Sequence, residues 1–521
     1  MSSEDVFASS FVWNVVAQVV GRGATFTANV FVARSVASSD YGIAHVLVAP
    51  LHAAVIALAR DPARRACSRA TLDAPKADLT ASVRISQLAV PIGLLAGVFL
   101  TESVLFTRRV QGAASAQTAF AARVSLLGAV FELAAEPMHT RAHAAGKYHV
   151  RSLAESAGHW ARTIVLVVCC RLVESPTVAI FGYAGVAYGV AVLAVYATLS
   201  PASAALEWAR TSSEVTKENN HGSKRPSSSP LWGVYRSFAQ QSVQKAILAE
   251  GEKLLLSITA PDANLGPYAV ASNLGSLVVR TVFLPTEEAA FTTLSRGGAD
   301  AFAIYCHLQR LMLVISIFAA AAGPPVCTSL LALLYGQRYT GGVDGSEAVA
   351  CLTWYAWYVA ALAANGVAES HVHATAVGAE LSRANAVLAA ATVAHIALCS
   401  FLASPLGELR LGMRPSVGLV IAGLVGSVAR LVYNGRYAAM RFRTTPGSPS
   451  LVPSTFTFIV GGCLAMASRA LGHMELQPAI HAVGAVALGG IALVMVTFVE
   501  KDAIMALVRG RYRRSTRQHS D

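Results

Sequence analysis

Thr177-Val-Ala-Ile-Phe-Gly-Tyr-Ala-Gly-Val-Ala-Tyr-Gly-Val-Ala-Val-Leu-Ala-Val-Tyr-Ala-Thr-Leu199 runs the length of a bilayer crossing without one charged side chain. About 20 apolar residues in a helix span the hydrocarbon. A helix also satisfies its own backbone polar groups there, which an isolated strand cannot do. Working outward, similar runs recur near 10–35, 41–60, 82–101, 117–136, 153–171, 238–259, 267–290, 310–334, 349–367, 384–403, 415–433, 452–471 and 480–499. The pattern predicts an all-α polytopic membrane protein with about 14 transmembrane helices. Composition agrees: the 521 residues are 54% hydrophobic and 13% charged, against roughly 25% charged in soluble domains.

Several of the other runs carry charge. Arg22 lies mid-way along the first, Lys245, Glu250, Glu252 and Lys253 inside the seventh, and Arg280 deep in the eighth. Each such charge costs roughly 2.5–3.5 kcal/mol at a helix centre on insertion scales, so it should face a paired or watery interior. A membrane protein built this way handles something polar.

The net charge of +12 is distributed unevenly. With the N-terminus in the cytosol, cytosolic segments hold Arg60, Arg64, Arg65, Arg69, Lys76, Arg141, Lys147, Arg151, Arg210, Lys217 and most later basic residues, including the tail from Lys501 to Arg517. The opposite side holds Arg108, Arg109, Arg171, Arg338, Arg410 and Arg414. That asymmetry follows the positive-inside rule and places both termini in the cytosol. It argues for a lipid bilayer and against nucleic acid as the partner of the basic residues, with the tail drawn to anionic lipid. Met1 to Asp5 lack a basic n-region and the following apolar run is too long for a cleaved signal, so it reads as the first membrane helix. The eight cysteines are scattered, with no CxxC pair or zinc spacing, and read as buried thiols.

Residues 207–236, containing Lys217-Glu-Asn-Asn-His-Gly-Ser-Lys-Arg-Pro-Ser-Ser-Ser-Pro230, read as a flexible cytosolic linker. It divides an N-terminal six-helix bundle (1–206) from a C-terminal one (237–436), followed by two additional helices (437–500) and a basic tail (501–521). An internal repeat supports the two halves. Helix 2 begins Tyr41-Gly-Ile-Ala-His-Val-Leu and reaches Arg60-Asp61; helix 8 begins Tyr268-Ala-Val-Ala-Ser-Asn-Leu and reaches Glu287-Glu288 after the same interval. Parallel six-helix halves are an established transporter plan.

Three motifs carry chemistry. In Leu58-Ala-Arg60-Asp61-Pro62-Ala-Arg64-Arg65-Ala-Cys67-Ser-Arg69, four arginines suit a phosphate or diphosphate, because guanidinium donates paired hydrogen bonds to its oxygens; an ordinary cytosolic anchor explains them too. In Gln241 to Leu254, Glu250 and Lys253 stand three apart and can neutralise each other. In Ser272 to Glu288, Arg280 lies deep in its helix, either paired to a glutamate or facing a substrate, and Pro285 should bend or break the helix before Glu287 and Glu288.

Six stretches together resemble one family: Ala-Arg-Asp-Pro-Ala-Arg-Arg-Ala-Cys (59–67), Glu-Leu-Ala-Ala-Glu-Pro (132–137), Ala-Glu-Gly-Glu-Lys (249–253), Asn-Leu-Gly-Ser-Leu-Val-Val-Arg (273–280), Phe-Leu-Pro-Thr-Glu-Glu (283–288) and Asn-Gly-Val-Ala-Glu-Ser (365–370). It is the endoplasmic-reticulum lipid-linked-oligosaccharide translocation (requiring-fifty-three) family of the multidrug/oligosaccharidyl-lipid/polysaccharide exporter superfamily. Gln18, Arg22 and Arg34 fit as well, whereas 440–521 resembles it only in hydropathy. Where the family usually has Glu-Ala this chain has Asp61-Pro62, and the proline is expected to end helix 2 early and shift Arg64 and Arg65 into a loop. The resemblance implies a V of two six-helix bundles around a hydrophilic cavity, in the endoplasmic reticulum membrane. It also implies flipping, or support of flipping, of a dolichol-diphosphate oligosaccharide of five mannoses and two N-acetylglucosamines for N-glycosylation.

On that reading, Arg22, Arg34, Arg60, Arg64, Arg65, Lys147, Arg280 and Arg430 are candidates to face the diphosphate and the cavity. Glu250, Glu252, Glu287, Glu288 and Glu369 are gate candidates, with Arg22–Glu250 and Arg60–Glu287 as expected latches. No cofactor and no metal is expected: His139 and His143 read as surface side chains, and His371 and His373 as loop residues. No Walker-type motif supports nucleotide hydrolysis, so a transporter-like protein rather than an enzyme is expected. A drug exporter would want an acidic trap in the first half, yet helix 1 has no carboxylate after Asp5. A glycosyltransferase would want a carboxylate pair on a large loop. A non-transporting scaffold for the same glycolipid stays open, and protein partners are not legible.

Overall fold

The computed structural model describes residues 25–67, 76–113, 115–145, 147–200, 231–295, 301–376, 379–444, 450–474 and 476–500. All the regular structure among them is helical. By contacts the chain divides between Leu265 and Gly266 into two compact units. Eleven helices among the described residues are long and apolar enough to cross a membrane. The predicted runs at 153–171 and 238–259 are also helical, but Arg151, Glu155, Arg162 and Arg171 in one and Arg236, Lys245, Glu250, Glu252 and Lys253 in the other keep them outside that class. The run at 10–35 is described only from residue 25, and the linker only from residue 231.

The first unit contains α1 (25–35), α2 (Ser38–Cys67), α3 (Lys76–Gln87), α4 (Ala89–Val110), α5 (Ala116–Ala134), α6 (Glu136–Ala144), α7 (Tyr148–Leu172), α8 (Ala179–Leu199) and α9 (Leu231–Thr259). Side chains such as Leu95, Phe99, Phe106, Ile164 and Leu172 point outward, as lipid-facing residues do, while small residues set the helix contacts. The tightest contact is α5 on α8. A Cβ on Gly128 would strike the Gly185 carbonyl, and one on Gly189 would strike that of Gly128. Any larger residue there would push the backbones apart.

Helix α2 does not end at Pro62. It continues to Cys67 after a π-helical turn at Ala44–Val48, so Arg64 and Arg65 stay on the helix, contrary to expectation. Pro62 removes one N–H, but Ala63, Ala66 and Cys67 beyond it are buried against Ile85 and Tyr235. That packing offsets one missing helical hydrogen bond. The same contacts seat α9 on α2: Tyr235 is buried and Trp232 and Phe238 pack beside it. Sequence topology groups this helix with the second bundle, whereas its packing here lies in the first unit. At the other end of the unit Arg108 is fully buried, donating to the Ala113 carbonyl at 3.1 Å, to the Ser257 carbonyl and to Asp262.

The second unit contains most of α10 (Asp262–Val278), then α11 (Leu284–Ser295), α12 (Ala301–Tyr335), α13 (Gly342–Thr375), α14 (Ala379–Leu402), α15 (Pro405–Leu411), α16 (Pro415–Thr444), α17 (Thr455–His473) and α18 (Pro478–Val499). Pro285 does not break its helix either. A π-helical turn at Val279–Phe283 joins α10 to α11 just before the proline, widening the turn its ring would otherwise crowd. Helix α13 packs on α12 and α16. The α17–α18 pair buries Val460, Leu464, Ala492 and Val496 against Val314 and Ala321 of α12.

Candidate functional site

In the first unit, α2 presents His52, Arg60 and Arg64 to the end of α5 and the start of α6. Arg60 and Arg64 are one helical turn apart, and so are Glu132 and Glu136 opposite them. The two turns meet rung to rung. Arg60 donates to Glu132 and, at 3.4 Å, to neighbouring Asp61. Arg64 forks onto Glu136 with Nε–oxygen distances of 3.1 and 3.0 Å and an Nη2–Oε1 distance of 2.7 Å. Both carboxylates are buried, Glu132 at 4% exposure and Glu136 at 1%. Burial of this kind is tolerated only because each charge has its partner. His52 completes the row, with Nε2 at 3.2 Å from Glu132 and Nδ1 at 3.1 Å from the Ser125 carbonyl. Glu155 of α7 extends the ladder, 3.5 Å from Arg64 and 2.9 Å from Arg151.

The second unit holds a different polar group, built mostly from amides. Asn365 of α13 donates to Glu369 at 2.6 Å and accepts from Asn434 of α16 at 2.9 Å. Arg430 reaches Glu369 at 3.5 Å and Ser427 at 3.2 Å. Gln309 of α12 donates to the Ala364 carbonyl at 2.8 Å, while its side-chain oxygen is buried without a hydrogen-bond partner among the described residues. Glu287 lies against Gly366; a Cβ there would collide with its carboxylate, so glycine is what admits it.

The sequence candidates separate as follows. Arg60 and Arg64 come together with Glu132 and Glu136, and Glu369 with Arg430. Arg65 is half-buried on α2, while Arg34, Lys147 and Arg280 are exposed. Glu250 pairs with Lys253 at 2.9 Å, the local neutralisation their spacing suggests. Glu252 and Glu287 are half-buried. Arg22 and the side chain of Glu288 lie outside the described residues, so the Arg22–Glu250 latch does too. Within the first unit the Arg60 guanidinium is taken by Glu132 and Asp61.

Two histidine expectations are corrected. His139 is buried, 3.9 Å from Glu136 and edge-on to Tyr196, because the α6 turn that carries it faces inward. His371 and His373 are on α13, not in a loop, and buried His371 stacks on Tyr305 with ring centres 4.0 Å apart. Sequence reasoning missed Glu132 and Glu136 as site residues, although their spacing of four repeats that of Arg60 and Arg64. It also missed His52, Glu155, Asn365 and Asn434, polar residues on otherwise apolar helices.

The family model described as Rft protein matches residues 7–510, nearly the whole chain. This chain belongs to the Rft protein family. Its relatives include the Man(5)GlcNAc(2)-PP-dolichol translocation protein RFT1 of Xenopus tropicalis, 27% identical over 93% of this chain and 92% of that protein. The protein of the same name from Mus musculus is 27% identical over 83% of this chain and 82% of its own length. The Dictyostelium discoideum one is 23% identical over 71% and 76%. Among solved structures, this Rft protein resembles a lipid II flippase MurJ in an inward closed conformation, with a TM-score of 0.60, 12% identity and coverage of 94% and 99%. It also resembles an inward-facing multidrug-resistance MATE transporter, with a TM-score of 0.56, 13% identity and coverage of 81% and 95%. The Rft chain therefore shares the fold of these two structures.

Proposed function

We propose that this Rft protein translocates a dolichol-diphosphate-linked oligosaccharide of five mannoses and two N-acetylglucosamines from the cytosolic to the lumenal leaflet of the endoplasmic reticulum. The observation that carries the reading is its nearly full-length match to relatives named for translocating that glycolipid. The chemistry of the first unit supports it. Drawing a diphosphate through hydrocarbon without compensation would cost tens of kcal/mol, whereas guanidinium forks on Arg60 and Arg64 offer paired donors to its oxygens. To use them the diphosphate must compete with Glu132 and Glu136, so binding is an exchange of one anion for another. The exchange leaves no arginine bare at any step. The polyprenyl tail meanwhile stays against outward apolar faces such as those of α4 and α7.

On this reading the Arg60–Arg64 end of α2 lies toward the cytosol with both termini, following the basic residues, and the two units act as the two halves of the transporter. The protein acts as a carrier rather than an enzyme. The completeness of the Arg–Glu rungs favours a second reading: a protein whose arginines are already neutralised could support the glycolipid's use without moving it. Reconstitution of the purified protein with labelled dolichol-diphosphate oligosaccharide separates the two. Accelerated movement between leaflets supports translocation, and movement equal to that of protein-free vesicles leaves only the supporting role.

A further inference from the structure

Helix α7 carries an arginine that the rungs do not use. Leu153, Trp160, Ile164, Val168 and Leu172 form its outward stripe, exposed between 45% and 79%. At 100° per residue Arg162 lies roughly 160° around the helix from Trp160 and Ile164, on the face that looks into the unit. It is half-buried and stands near the middle of the 25-residue helix. Exposed Arg151 and half-buried Glu155 lie on the same side of the helix nearer its start, and Arg162 lies roughly 10 Å further along the axis than Glu155. Among the described residues no carboxylate lies within ion-pair distance of it. The Tyr188 ring of α8 packs against Gly158, one turn from Arg162 on the same face of α7, and Tyr41 on α2 is the other phenol within reach of its charge. Tyr41 is fully buried, and Tyr188 is held edge-on to His159 with ring centres 5.3 Å apart.

An arginine at mid-helix, turned from lipid, beside a phenol and without a carboxylate in ion-pair reach among the described residues, is suited to an anion. Arg60 and Arg64 already have theirs. We propose that Arg162, flanked by Tyr188 and Tyr41, is a mid-membrane binding residue for the phosphate-bearing head group of a lipid. Resting on the glycolipid reading above, it receives the diphosphate after the Arg60–Arg64 rungs. Guanidinium supplies the charge and a paired fork, and the Tyr188 phenol supplies a neutral donor to a remaining oxygen.

The test uses the full chain in nanodiscs with a short-chain isoprenyl diphosphate as the probe. Arg162→Gln should weaken binding at least tenfold, Arg162→Lys should recover part of the loss, and Tyr188→Phe should weaken it a few-fold. Binding of the uncharged isoprenol should be the same in all variants, which a merely structural role for Arg162 would not give. If Arg162→Gln does not fold, the lysine and phenylalanine variants still decide. Unchanged diphosphate binding in them, or no binding by the wild type, overturns the proposal. Phosphatidic acid distinguishes the source of the phosphate: equal dependence on Arg162 for both lipids overturns the role in diphosphate transfer. Should wild-type protein bind the diphosphate through Arg162 yet move no glycolipid, the translocation reading falls while the anion site stands. Movement that is undiminished in Arg162→Gln sinks the site alone.

Discussion

The polar group on α2, α5 and α6 of the first unit and the one on α12, α13 and α16 of the second are built by different chemistry. In the first, full charges face full charges: Arg60 and Arg64 against Glu132 and Glu136, with His52 and Glu155 extending the row. In the second, amides dominate, with Asn434, Asn365 and Gln309 passing hydrogen bonds toward Glu369 and the α13 backbone. A buried ion pair that loses one partner leaves an uncompensated charge, which another charge compensates best. Amide networks bind neutral hydroxyls as readily as each other.

This contrast can be broken experimentally. Glu136→Ala leaves half-buried Arg64 with Glu155, 3.5 Å away, as its remaining carboxylate, and should cost about 3 kcal/mol, read as a large fall in Tm of the detergent-solubilised protein. A loss below 1 kcal/mol would mean that water or lipid phosphate already screens the rung. Next comes charge exchange. Arg60→Glu with Glu132→Arg should restore function lost in either single variant, with a coupling of up to about 3 kcal/mol. Rescue of Arg60→Glu by Glu287→Arg instead would overturn the pairing within the first unit and favour the latch. In the second unit, Asn365→Ala strands Asn434, leaves Glu369 with Arg430 as its partner, and should cost about 2 kcal/mol. Asn365→Asp should be tolerated worse than Asn434→Asp, because only the first puts a second carboxylate beside Glu369.

The smallest effect lies outside both networks, at Glu500 just past α18. Burial opposes its charge, yet the Ser454 N–H at 2.9 Å, the Thr457 hydroxyl at 2.8 Å and Arg310 together hold its carboxyl below the usual carboxylate range. A lowered folded value means that the contribution is complete above the unfolded value of about 4.3 and is lost as pH falls through the folded one. The Tm gap between wild type and Glu500→Gln should be constant from pH 7 to 5 and narrow only in more acid solution. A gap already closing at pH 6 would contradict this assignment.

Much of the fold was legible because a bilayer imposes a simple rule on sequence. A run such as 177–199 must be a helix, and the same reasoning located the helices at the other thirteen runs wherever the structure describes them. The Glu250–Lys253 pair was legible for the same local reason, since three residues bring two side chains onto one face. Proline was overread. Pro62 and Pro285 look like helix ends in isolation, but tertiary packing in one case and a π-helical turn in the other carry the chain through.

The sequence by itself determined that this is a helical membrane protein with charge inside, because hydropathy and the cost of buried charge act along a single helix. Only the tertiary structure decided which charges meet. Arg60 and Glu132 are far apart in the chain, and no spacing rule within either helix names the other as partner. Register between α2 and α5–α6 is set by packing around small residues and by the continuation of α2 through Pro62. That register neutralises Arg60 and Arg64, leaving Arg162 on α7 facing phenols without a carboxylate within ion-pair reach among the described residues.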